Sequence, residues 1–144
     1  MEYIKLYLDH VVIGVLGVMS FLMLWCVIER WLYYRNLDLS EFKHPDSLNV
    51  ALTRHLTLIS SVGSNAPYVG LLGTVFGIMI TFYEIGQTGD VDTQSIMVGL
   101  ALALKATALG LFVAIPAIVF YNGLLRKVDV LTANWRTLQD ESSS

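Results

Sequence analysis

Three long apolar runs, separated by short polar stretches, organise the sequence. Residues 11–28 carry no charge and one hydroxyl, Ser20. That satisfies the rough 18-residue requirement for crossing about 30 Å of hydrocarbon. A cleaved signal peptide is the competing reading. It fits poorly, because Glu2, Lys5 and Asp9 precede the run and Glu29, Arg30 and bulky aromatics follow it, where a cleavage site needs small residues. The second run, from Ala66, stays uncharged to Tyr83 and ends at Glu84. Pro67 near its start suits a first helical turn, where a missing N–H is harmless. The third, Ile96 to Leu125, contains one charge, Lys105, and exceeds what a bilayer needs, so part of it must tilt or emerge. Pro116 inside it removes the bond to the Phe112 carbonyl and predicts a kink.

The pattern therefore predicts an all-α membrane protein, a single integral domain over 1–144. Its spans lie at about 11–28, 66–85 and 96–120, with inner helical segments at about 30–65 and 122–140. Lys and Arg set the orientation. Lys5 alone precedes the first span and the 86–95 loop has none, whereas Arg30, Arg35, Lys43 and Arg54, then Arg126, Lys127 and Arg136, lie on the other side. The N-terminus is expected outside, in the periplasm, and the C-terminus in the cytoplasm. Spans two and three form a tight antiparallel hairpin over a short acidic loop, and both extend inward. Tyr3 and Tyr7, and Trp31, Tyr33 and Tyr34, stand where interfacial aromatic belts belong.

In the inner segments, Asp46 and Ser47 after Pro45 make a helix start, and Leu48, Leu52, Leu56, Ile59 and Gly63 repeat at helical spacing. In the tail, Leu124, Val128, Leu131, Trp135 and Leu138 form a coiled-coil-like seam. Each seam packs either against its own chain or against a neighbouring subunit.

Composition narrows the functional classes. With 55% hydrophobic and 15% charged residues, the 144-residue chain is too apolar for an ordinary soluble enzyme. A net charge of −3 leaves no basic footprint for nucleic acid. One cysteine, Cys26, excludes an intramolecular disulfide and reads as a small packing residue. The glycines of GLLGTVFG have the wrong spacing for a nucleotide loop, and His10, His44 and His55 lack ligand spacing, so no cofactor or metal is expected.

The candidate chemistry lies on two stripes. Gly70, Gly73, Thr74, Gly77, Thr81 and Glu84 fall on one side of span two; Ser95, Gly99, Ala103, Ala106, Thr107, Gly110, Ala114 and Ala117 fall on one side of span three. Small residues let helix backbones approach, so Gly70, Gly73, Gly77, Gly99 and Gly110 read as helix-packing positions. The hydroxyls also suit a path for water or ions, and both readings stay open.

Ala66–Met79 (APYVGLLGTVFGIM), Ala106–Leu111 (ATALGL), Val113–Ala117 (VAIPA) and Tyr121-Asn122 resemble the span-two and span-three signatures of the MotA/TolQ/ExbB proton channel family. The three-span layout extends the resemblance from Ile4 to Leu138. It implies a non-enzymatic inner-membrane energiser: five copies ringed around a dimer of an ExbD-like subunit, drawing on the proton motive force to drive a TonB-like protein and outer-membrane nutrient uptake. A TolQ-type role in the cell envelope and a non-conducting scaffold are the alternatives. Thr74 and Thr107 match the family's lumen-lining threonines, and Thr81 shares their stripe. One departure stands out: Leu102 occupies a position that is acidic in many relatives, and Lys105 appears about one turn further on. The helical projection sets Lys105 nearly opposite Thr107, in a seam between helices. It either snorkels towards Glu84 or headgroups, or serves the proton path.

Overall fold

The computed structural model describes residues 2–89 and 92–143. The chain forms α1 (Glu2–Arg35), a one-turn 3-10 helix (Leu39–Glu41), α2 (Pro45–Thr53), α3 (Leu56–Thr88) and α4 (Thr93–Ser143), with no strand among the described residues. Helices α1, α3 and α4 are each long and apolar enough to cross a membrane. At 1.5 Å per residue, α3 spans roughly 50 Å and α4 roughly 76 Å, well beyond about 30 Å of hydrocarbon.

Packing follows the small-residue stripes. Helices α3 and α4 form an antiparallel hairpin, and α1 lies across both. Helix α1 buries one face, Val12, Leu16, Met23, Cys26, Arg30 and Tyr34, spaced by threes, fours and one double step. Most of its other large apolar residues stay exposed, including Phe21, Trp25 and Ile28, as expected for a surface that meets lipid or further subunits.

At one end of the bundle, the C-terminal end of α1, the linker, α2 and the tail of α4 pack together. Asp38 caps the 3-10 turn by accepting from the Ser40 amide and hydroxyl, which holds its carboxyl below the ordinary value. Leu48, Leu52, Leu56 and Ile59 are all buried, as are Leu124, Val128, Leu131 and Trp135. The Trp135 indole N–H donates to the Phe42 carbonyl at 2.9 Å. The tail seam thus packs on its own chain through four of its five residues. Leu138, 43% exposed, does not join them.

Four local expectations are corrected. Pro67 does not begin a helix. Helix α3 starts at Leu56, so Pro67 lies about three turns inside it and leaves the Gly63 carbonyl without its helical donor. The polar Ser64 and Asn65 just before Pro67 lie within the helix and donate their side chains to the carbonyls of Ser60 and Ser61. The inner seam is not one helix: His55 takes a left-handed conformation, φ 69°, between α2 and α3, yet the buried leucine row continues across the break. The outer loop is shorter than 86–95, because α3 continues to Thr88, capped by left-handed Gly89, and α4 begins at Thr93. Asp90 and Val91 lie outside the described residues. Finally, Tyr34 is no belt residue; it is buried, and its hydroxyl donates to the Leu52 carbonyl.

Candidate functional site

The hairpin is close because glycines face backbone. A Cβ placed on Gly70 would lie 2.5 Å from the Ala106 carbonyl oxygen, and one on Gly110 would lie 2.6 Å from that of Ala66. Gly73 faces the Ala106 and Val12 side chains, Gly77 faces Ala103, and Gly99 faces the Thr81 hydroxyl. Pro116 lies inside α4, so the Phe112 carbonyl lacks its usual partner.

This approach brings Thr74 and Thr107 together. Thr74, 5% exposed, has its Oγ1 2.9 Å from the Ala103 carbonyl oxygen, 3.3 Å from that of Gly70, and hydrogen-bonded to the Thr107 hydroxyl. Each hydroxyl has one proton to give. When Thr74 donates to Ala103, Thr107 donates to Thr74, and the lone pairs of the half-buried Thr107 remain free to accept from outside the pair. Reversing the pair frees the Thr107 proton instead. The pair can therefore accept or donate towards its exposed side while staying neutral.

Thr81 is apart from this pair. It lies seven residues nearer the C-terminal end of α3, about 10 Å along the helix, and donates to the Gly77 carbonyl at 2.9 Å. It lines a 660 Å³ open cavity bordered by α1, α3 and α4.

Lys105 borders the same cavity, and the carboxylate it meets is Asp9, not Glu84. Its Nζ lies 3.2 Å from Asp9 Oδ2 on α1, with side-chain exposures of 43% and 35%. Glu84 is taken by Lys5, 2.8 Å away. Two ion pairs thus fix the N-terminal end of α1, one to α3 and one to α4. Asp9 was not singled out in the sequence; its separation of 96 residues from Lys105 gives no pairing signal. Arg30 was likewise counted only as an inner-side charge. It is 2% exposed, bonds both Glu29 oxygens and the Ala51 carbonyl, and stacks 4.3 Å above the Tyr33 ring. His10, His44 and His55 are exposed and well separated along the chain.

Three helices long and apolar enough to cross a membrane, two of them joined in a glycine-packed hairpin with a paired hydroxyl site, mark a multi-pass membrane protein. Comparison with known sequences refines this. The chain belongs to the MotA/TolQ/ExbB proton channel family, whose profile matches residues 44–137. It is 55% identical over 139 residues to the biopolymer transport protein ExbB of Helicobacter pylori strain J99, covering 96% of each chain. It is 53% identical over 144 residues to ExbB of Aquifex aeolicus, covering all of this chain and 97% of the relative. To the Tol-Pal system protein TolQ of Pseudomonas aeruginosa it is 38% identical over 102 residues, 66% of this chain and 44% of that one.

Proposed function

We propose that this chain is the ExbB-type subunit of an inner-membrane energiser, coupling the proton motive force to TonB-dependent uptake of nutrients across the outer membrane. Five copies surround a dimer of an ExbD-like subunit, and the N-terminus is periplasmic. The observation that carries this reading is the Thr74–Thr107 pair: two hydroxyls joined across the spanning hairpin, able to solvate a proton or a partner's carboxyl without a permanent desolvated charge. The near-full-length similarity to two ExbB proteins supports the ExbB branch.

The exposed apolar surface of the hairpin, Phe112 at 80% among it, supports assembly with further membrane helices. A TolQ-type role is the second reading, favoured by the 38% identity to a TolQ protein. Deleting the gene and measuring energy-dependent uptake of iron chelates tests the choice. Lost uptake, restored by this chain and abolished by a protonophore, is the expected result. Normal uptake with defective envelope constriction favours the TolQ role, and normal behaviour in both assays overturns the proposal.

A further inference from the structure

The cavity between α1, α3 and α4 combines features that helix packing does not require. It is an open groove whose walls include Asp92, Gln94 and Ser95 at the start of α4, the Thr81 hydroxyl, the Asp9–Lys105 pair, and Gly73 and Ala106. Its 660 Å³ is comparable to the liquid volume of roughly 20 waters. A cavity bearing charged and hydroxyl groups holds water, whereas dry cavities are apolar. Helix α4 enters it at its first turn, where Asp92 accepts from the Gln94 amide and the Ser95 hydroxyl. Lys105, twelve residues further, sits about 18 Å down the helix.

We propose that this cavity is a hydrated vestibule open to the outer compartment, and that Asp9 is its proton-accepting carboxylate, with Lys105 as the positioning residue. The inference rests on the proton-conducting role proposed above. Hydronium arriving past Asp92 and Ser95 transfers its proton to an Asp9 carboxylate oxygen, leaving a water and a neutral acid. The acid then returns the proton to a cavity water on the side of Gly73, the residue preceding Thr74. Lys105 holds the carboxylate in place by an ion pair that breaks on protonation and reforms on release. The other charges facing this region are Lys5 on α1, held by Glu84 of α3, and Asp92, held at the α4 start. His10, beside Asp9, donates its Nδ1–H within α1, to the Leu6 carbonyl. Asp9 is thus the carboxylate that pairs with Lys105.

Two measurements on the complete complex with its partner subunits test this. The first follows proton flux into liposomes with an internal pH dye. Asp9→Asn is expected to reduce flux at least tenfold, Asp9→Glu to keep it within threefold, and Asp9→Asn with Lys105→Met to stay reduced. Flux retained in Asp9→Asn, or restored in the double variant, makes the pair merely structural and overturns the proposal. A wild-type complex without flux would instead refute the proposed function.

The second measurement reads hydration without conduction, in a Cys26→Ser background. Leu102 and Leu104 are both 58% exposed, yet only Leu102 lines the cavity. A small cationic methanethiosulfonate added outside should label Leu102→Cys at least tenfold faster than Leu104→Cys. Equal rates would show that no water-filled vestibule exists, whatever the flux assay gives.

Discussion

Gly110 and Gly70 cross at backbone contact: a Cβ on Gly110 would stand 3.0 Å from the Gly70 Cα. No side-chain rotation can relieve such a clash, because the obstructing atoms belong to the helix itself. Overpacking in a well-packed interior typically costs about 1–3 kcal/mol. Gly70→Ala and Gly110→Ala should therefore lower the thermal stability of the purified protein and force the hairpin apart. Gly14→Ala and Gly123→Ala, whose added methyl would meet nothing within 4 Å, should hold or raise the melting temperature, since alanine favours a helix interior over glycine. Equal melting temperatures for all four variants would contradict the packing described.

The inner base depends on buried polar contacts. Tyr34→Phe leaves the Leu52 carbonyl without its hydroxyl donor, at a cost of about 1–3 kcal/mol. Trp135→Ala removes a buried ring and the bond to Phe42, an expected loss of about 3–5 kcal/mol. Leu138→Ala, at the exposed end of the tail seam, should change the stability of the single chain by under about 0.5 kcal/mol. Limited proteolysis of the tail reads all three, with Trp135→Ala cut fastest.

How much of this was readable beforehand depends on the range of the interaction. The two small-residue stripes were legible because residues on one helix face repeat at a fixed spacing, and the glycines meet across the hairpin. The pairing of Thr74 with Thr107 was not, since spacing within each helix does not state the register between them. Pro67 misled because Gly63, Ser64 and Asn65 have the composition of a helix start, while their side chains in fact serve the helix they sit in. Lys105 was recognisable as an unusual charge, but its partner came from α1, nearly a hundred residues earlier. Tyr34 carried a belt residue's chemistry and turned out to face the core, because it falls on the same stripe as Met23 and Arg30.

The proposed orientation has its own consequence. With Cys26 replaced by Ser, a cysteine at Gly86 should react with an impermeant maleimide in intact spheroplasts. One at Ser142 should react only after the membrane is opened. The asymmetry of Lys and Arg requires this order, and the reverse pattern would place the N-terminus inside.

We propose that the Thr74–Thr107 pair takes part in proton-driven work and does more than hold the hairpin together. Valine preserves the shape of threonine and removes the hydroxyl. The decisive measurement is energy-dependent uptake in cells carrying Thr74→Val with Thr107→Val, alongside the amount of assembled complex recovered from the membrane. Normal assembly with uptake reduced at least tenfold is the expected result. Normal assembly with normal uptake would contradict it and leave the pair as helix packing alone.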